Sequence, residues 1–185
     1  MVLPNSCTVL QEGAFGGCSS LSQINLSNRI TEFGRYCFTE CSSLIISSSV
    51  LTNATIIGES AFNGIASLTG GDLILSHLTE IGAWPFGNRT LGITSVDFTG
   101  STFTQISPGL FENQTSLDHV ILPATLITVD GWGHFREVPL RWIKFLGTTA
   151  PTGDVNSMEI RSAAKIYVPD AAVNDYKASL TEYAS

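Results

Sequence analysis

The residues of this chain that could do covalent chemistry do not assemble into a recognisable set. Histidine occurs at His77, His119 and His134, with no H-E-x-x-H pair to hold zinc and no carboxylate at motif spacing, so surface positions are expected for all three. The four cysteines are Cys7, Cys18, Cys37 and Cys41, and Cys37-x-x-x-Cys41 lacks both the spacing and the second pair of a zinc site. Serines are abundant, yet no G-x-S-x-G stands among them, and no pair of carboxylates stands out for glycoside cleavage. No catalytic residue, metal site or cofactor is therefore expected, and the chain is read as a non-enzyme. What remains is recognition chemistry, carried by Asn25, Ile74, Asp97, His119, Ile121, Trp142 and Lys144. Each of these alternates with apolar neighbours in a short run, which turns it outward if the run is a strand.

Composition narrows the partners. Of 185 residues, 43% are hydrophobic and only 14% charged, against roughly 25% charged in an ordinary domain, with Ser and Thr filling the polar positions. Small hydroxyl residues suit closely stacked strands. The formal charge of −7 opposes phosphate-rich partners, so neither nucleic acid nor an anionic membrane surface is expected. No run of about 18 apolar residues is present to cross a bilayer, and Met1-Val2-Leu3-Pro4-Asn5 has neither the charged nor the apolar region of a signal peptide. Because the chain opens in mid-repeat, an export signal or further repeats are expected outside it.

The elements that must position the recognition residues follow from an internal repeat. Phe15, Phe38, Phe62, Phe86, Phe111 and Phe135 are separated by 23, 24, 24, 25 and 24 residues. Seven positions before each stands Thr8, Thr31, Thr55, Thr79, Thr104 or Thr128. An apolar or small column precedes the threonines at Cys7, Ile30, Ala54, Leu78, Phe103 and Ile127. Another lies five before the phenylalanines at Leu10, Phe33, Ile57, Ile81 and Ile106, and the sixth repeat slips there, placing Val129 one position early. Beyond the phenylalanine, Leu21-x-x-Ile24-x-Leu26 recurs as Ile93-x-x-Val96-x-Phe98, Leu117-x-x-Val120-x-Leu122 and Leu140-x-x-Ile143-x-Phe145, the L-x-x-L-x-L core of a leucine-rich repeat.

These columns predict an α/β repeat fold: a right-handed leucine-rich-repeat solenoid of about six coils of 23–25 residues over residues 1–146, with a C-terminal capping segment of the same domain over 147–185. A coil cannot bury its own apolar face, so each column must stack on the next coil, with phenylalanine as a spine and threonine as a hydroxyl ladder. Gly34, Gly58, Gly82 and Gly131 are assigned to turns of positive φ. Bulges are expected where Leu44 runs into Ile45-Ile46-Ser47 and Leu68 into Thr69-Gly70-Gly71. Past Phe145 the period ends. Gly147 to Gly153 reads as a loop, Lys165 to Val168 as a last strand, and Pro169 to Tyr183 as a short helix with Asp170 as N-cap and Val173, Tyr176, Leu180 and Tyr183 on one face.

The block Gly13-Ala14-Phe15-Gly16-Gly17-Cys18-Ser19-Ser20-Leu21, with Ile81-Gly82-Ala83-x-x-Phe86, resembles the BspA-like leucine-rich repeats over about residues 2 to 145, and Ile166-Tyr167-Val168-Pro169 with Tyr176-Lys177-Ala178 is similar to the closing element of such proteins in Bacteroidetes. The resemblance implies a secreted or surface-anchored bacterial protein that adheres to host proteins or other cells, with no catalytic residues to carry over. The Gly-Cys-Ser-Ser-Leu block is complete only in the first repeat, shortened to Glu40-Cys41-Ser42-Ser43-Leu44 in the second and lost from the fourth and sixth. Cys18 and Cys41 share a repeat position, so a bridge between them is weighed against the packed free thiols that the resemblance implies, and the thiols are preferred. The sequons at Asn25, Asn53, Asn88 and Asn113 carry weight only in a eukaryotic source.

The outward strand positions, Gln23 and Asn25, Asp72 and Ile74, Ser95 and Asp97, His119 and Ile121, Trp142 and Lys144, are the candidate ligand surface, because a tryptophan anchor among aliphatic and polar neighbours suits a protein partner. Against it stands burial of Trp142 and Ile121 beneath the cap or the loop from Gly147 to Met158. A carbohydrate ligand, with Trp142 stacked on a sugar beside Asp97 and His119, is the alternative, and a passive spacer within a larger surface protein the third. The sequence leaves the oligomeric state open.

Overall fold

The computed structural model describes residues 1 to 183. It is a parallel-strand solenoid of about seven turns, in which every pairing between named strands is parallel and joins a coil to its neighbour. On one side run two-residue strands at the foot of the threonine column: Val9–Leu10, Glu32–Phe33, Ile56–Ile57 and Glu80–Ile81 form one ladder, and Gln105–Ile106, Thr128–Val129 and Thr152–Gly153 a second. On the other side, Asp72–Ile74, Ser95–Asp97, His119–Leu122, Trp142–Phe145 and Lys165–Tyr167 make a five-stranded sheet.

Between the two ladders the phenylalanine spine forms as the spacing predicts. Consecutive ring centroids from Phe15 to Phe135 lie 5.3, 5.8, 5.7, 5.6 and 6.3 Å apart, with interplanar angles of 26° or less. Offset stacks of this kind add to the burial of the rings themselves, and from Phe38 onward each is fully buried. The threonine ladder is also present, with one change of chemistry. The hydroxyls of Thr31, Thr55 and Thr79 donate to the backbone carbonyls of Thr8, Thr31 and Thr55, at 3.4, 3.1 and 3.1 Å, rather than to one another.

The glycine reading needs correction at three of four positions. Gly131 has φ +79°, as expected, but Gly34, Gly58 and Gly82 lie outside the positive-φ region. They are required for another reason: a Cβ at Gly34 would stand 2.6 Å from the Leu10 carbonyl oxygen, and one at Gly58 2.6 Å from the Arg35 nitrogen. The preceding coil's backbone fills that space. The one-residue slip read at Val129 is present and carries its neighbours with it. Thr128 pairs with Gln105, not Thr104, so Leu126 takes the buried place and Ile127 is turned out, 60% exposed. A one-residue slip exchanges the two faces of a strand.

The third and fourth coils depart from a single strand each. Ile45–Ser47 pairs with Ser67–Thr69, then runs into the 3-10 turn Ser48–Leu51. Gly70 and Gly71, at φ +107° and +74°, swing the fourth coil into its second strand, Asp72–Ile74, which lies against that turn. The five-stranded sheet begins there.

Helix is scarce, which limits the α/β description. Among the described residues the one α-helix is Val173–Ser179, outside the coils. The segment read as a loop after Gly147 instead contributes a further turn: Thr152–Gly153 pairs with Thr128–Val129, and buried Met158 accepts the Phe135 N–H at 3.0 Å through its carbonyl, as His134 accepts that of Phe111 one coil earlier. Asp170 is not an N-cap. It lies inside the 3-10 turn Asp170–Ala172, and neither that turn nor the helix has a side-chain cap bond. The helix packs on the last coils through Tyr176, whose ring sits 5.2 Å from Phe145 and whose hydroxyl donates to the Gly147 carbonyl at 3.1 Å.

His134 contradicts the surface expectation. It stands one place before the spine, where other coils carry Ala14, Cys37, Ala61, Pro85 and Leu110, and it is fully buried with both ring nitrogens lacking a hydrogen-bond partner. Burial pushes its pKa down to about 4, against the opposing pull of Asp130 and Asp154. A buried, unpaired imidazole stays neutral.

Two stability measurements follow. Phe62→Ala opens a cavity in a stack closed on both sides, and chemical denaturation is expected to show a loss of about 3–5 kcal/mol. For His134, the folded pKa lies below the unfolded one, so its neutral-state stability is complete above pH 6.5 and is lost as pH falls toward about 4. The loss is expected to reach roughly 3 kcal/mol. His134→Leu should flatten that acid limb in denaturation curves taken between pH 4 and 7; an unchanged limb would assign the acid loss to other groups.

Candidate functional site

Strand pairing arranges the outward residues into two columns. Asp72, Ser95, His119, Trp142 and Lys165 are register partners in the first, and Ile74, Asp97, Ile121, Lys144 and Tyr167 in the second. The cause is the period of two along each strand: Leu73, Val96, Val120, Ile143 and Leu122 point into the core and are buried, leaving their neighbours on the face. The structure thus brings together Ile74, Asp97, His119, Ile121, Trp142 and Lys144. Asn25 is not among them. It bridges to Val2 in the first coils, beyond the break made by Ser48–Leu51.

At the centre of the face His119 and Trp142 lie ring on ring, 4.3 Å between centroids and 16° from parallel. Tyr167 meets the tryptophan edge-on at 6.0 Å. The imidazole is held from behind: its Nδ1–H donates to Asp118 Oδ2 at 3.0 Å, and Asp118 Oδ1 receives the Arg141 guanidinium at 3.0 Å. Tethering both ends of the Asp118 carboxylate fixes the ring plane on which Trp142 lies. At the other end of the face, Asp72 accepts from the Ser95 hydroxyl at 2.6 Å and the Thr94 hydroxyl at 3.0 Å. These bonds, Ser95 first, hold its carboxyl below the usual carboxylate range, with His119 adding a weaker pull. Asp97 is engaged locally, accepting the Thr99 N–H at 2.7 Å.

Neither the cap nor the segment after Gly147 covers this surface. The segment crosses to the opposite ladder, the helix sits over the end of the core, and Ile74 and Tyr167 remain 58% and 48% exposed while Trp142 and Ile121 are half-buried by their own column neighbours. An open cleft of about 650 Å³ lies at the C-terminal edge, lined by Arg141, Trp142, Arg161, Lys165 and Tyr167 among others. Arg161, Lys165 and Tyr167 were absent from the sequence-derived candidates, although a signal existed: Lys165 and Tyr167 each follow Trp142 and Lys144 by 23 residues, one more period.

Elsewhere the polar chemistry is structural. Cys7, Cys18, Cys37 and Cys41 are all free thiols. Cys41 donates to the Phe15 carbonyl at 2.9 Å, and burial pushes the Cys37 thiol up to about 12. Buried Gln114 ties two coils, donating to the carbonyls of Phe86 and Arg89 and accepting the Leu91 N–H. Trp84 and Trp132 pack edge to face across the turns opposite, with the Trp84 indole donating to Glu112. No group of His, Cys, Asp and Glu among the described residues is arranged to hold a metal ion.

No curated protein matches the chain. The model of the family described as BspA type Leucine rich repeat region (6 copies) matches residues 1–117 and again 45–153, and the coil architecture, the stacked phenylalanines and the outward strand columns agree with that match. The chain therefore belongs to the BspA-type leucine-rich repeat family, known for surface and adhesion-type proteins.

Proposed function

We propose that this protein is a cell-surface or secreted binding protein of a bacterium, recognising a protein on a host or neighbouring cell through the outward face of its five-stranded sheet, without covalent chemistry. The observation that carries this reading is the uncovered strip formed by Ile74, Ile121, His119, Trp142 and Tyr167, with charged residues around it. Aromatic anchors with aliphatic neighbours and a polar rim are what protein interfaces use for most of their binding energy. Membership in a family whose repeats are generally binding scaffolds, usually outside the cell, agrees with it. No helix among the described residues is long and apolar enough to cross a membrane.

The carbohydrate alternative is weaker on geometry. Stacking on a sugar needs a free ring face, whereas one face of Trp142 is taken by His119 and Tyr167 stands against the ring. Asp97, its intended polar partner, is turned to the Thr99 amide.

The test is an array of extracellular-matrix proteins and glycans probed with the wild-type chain and a Trp142→Ala, Ile121→Ser double variant. Binding to a protein is expected, weakened about 30-fold or more in the variant, the effect of removing a central anchor. Protein binding untouched by the change would move the site off this face, glycan binding that it abolishes would favour the sugar reading, and silence from both proteins would favour the spacer.

A further inference from the structure

The outward face is electrically lopsided. Its first strands carry Asp72 and Asp97, whereas its last two carry Lys144 and Lys165, with Arg141 and Arg161 on the cleft beside Trp142 and Tyr167. Four of the chain's nine Lys and Arg residues thus gather at one edge of a protein whose net charge is −7. Arg141 is partnered by Asp118, but Lys144, Arg161 and Lys165 make no ion pair with a carboxylate among the described residues, and all three are exposed. Of the carboxylates close to this edge in sequence, Asp154 accepts the Gly131 N–H, whereas Glu159 is exposed and makes no ion pair with these cations among the described residues. Cations left unpaired around an aromatic cleft are complementary to an anionic partner.

We infer that the aromatic cleft of Arg141, Trp142, Arg161, Lys165 and Tyr167, with Lys144 on the strand face beside Tyr167, receives a short acidic peptide segment of the partner protein. This rests on the strand face being a protein-binding surface and adds the chemistry of what it binds. A short segment fits better than a long polyanion, because the positive edge gives way to Asp72 and Asp97 across four strand spacings, about 19 Å, which some six extended residues would span. A nucleic acid or uronate chain continuing along the face would meet like charge, while a segment with acidic residues at one end finds its direction set by the gradient. The half-exposed Tyr167 and the Trp142 edge offer apolar contact for a leucine or aromatic residue within the segment.

The experiment titrates the full chain with a capped twelve-residue peptide of glutamate carrying two central leucines, with its lysine counterpart, and with an oligogalacturonate of similar charge, following backbone and indole N–H resonances. Saturable shifts confined to residues around Trp142, Lys165 and Tyr167 are expected with the glutamate peptide only, with affinity falling about tenfold or more between 50 and 500 mM salt. A Lys144→Gln, Arg161→Gln, Lys165→Gln variant with unchanged melting temperature should lose the shifts, while Arg89→Gln, on an exposed turn elsewhere, should keep them. Absence of binding, binding retained in the triple variant, or tighter binding of the oligogalacturonate would each overturn the inference. Failure here is separable from failure of the wider reading: an array protein released by Trp142→Ala, Ile121→Ser but not by the triple variant leaves the face as the site and removes the acidic segment.

Discussion

The stacking of one phenylalanine on the next sets the conditions every other part of the molecule must meet. Parallel strands bring successive coils to about 4.8 Å, and side chains on the axis must fit that spacing at every turn. Flat rings displaced sideways do so, which is why centroids 5.3 to 6.3 Å apart accompany nearly parallel planes. A side chain smaller than the ring in this column would leave a gap, and gaps in a packed interior forfeit contact on both sides. The spacing also explains what the backbone tolerates. Gly34, Gly58 and Gly82 stand where neighbouring coils come closest, with no room for a methyl group, and Gln114 fills a turn with an amide that satisfies three backbone groups at once.

Once the inner positions are committed to this stack, the outer ones are free of it. Strand period two assigns alternate residues to the face, and parallel pairing in register lines those residues into columns without asking anything of their chemistry. This accounts for a sheet whose inner residues are uniformly aliphatic or aromatic while the outer columns pass through aspartate, serine, histidine, tryptophan and lysine. The break at Ser48–Leu51 limits the usable surface to five strands, leaving Asn25 on a separate part of the molecule.

The core columns were legible in the sequence because they repeat: six phenylalanines and their threonines declare a period, and alternation in Trp142-Ile143-Lys144-Phe145 declares which side faces out. Departures from the period were not legible where they depend on backbone proximity. Nothing at Gly58 distinguishes a tight approach from a positive φ, and only the pairing of Thr128 with Gln105 exposes Ile127. The last turn was missed for want of a phenylalanine, although Thr152 and Met158 keep the period, 24 residues after Thr128 and 23 after Phe135, and Arg161 on that turn was missed with it. His134 read as a surface residue since an unpaired buried imidazole leaves no trace in a column otherwise filled by alanine, cysteine, proline and leucine.

A face built this way enters an encounter already ordered. His119 is held by Asp118, Asp118 by Arg141, and Trp142 lies between His119 and Tyr167, so the central side chains have little rotamer freedom left to lose on binding. The exposed lysines at the edge are the reverse: long, unpaired and mobile in principle, they cost more to fix and contribute mainly through long-range attraction. Under the binding role proposed for this face, the rigid centre and charged margin divide the work, with the cations governing approach and direction and the aromatic strip governing how long a partner stays. Such a division needs no conformational change in the solenoid, whose coils are tied at both ladders and along the spine, and it places the discrimination between partners on the few outward side chains that the fold leaves unconstrained.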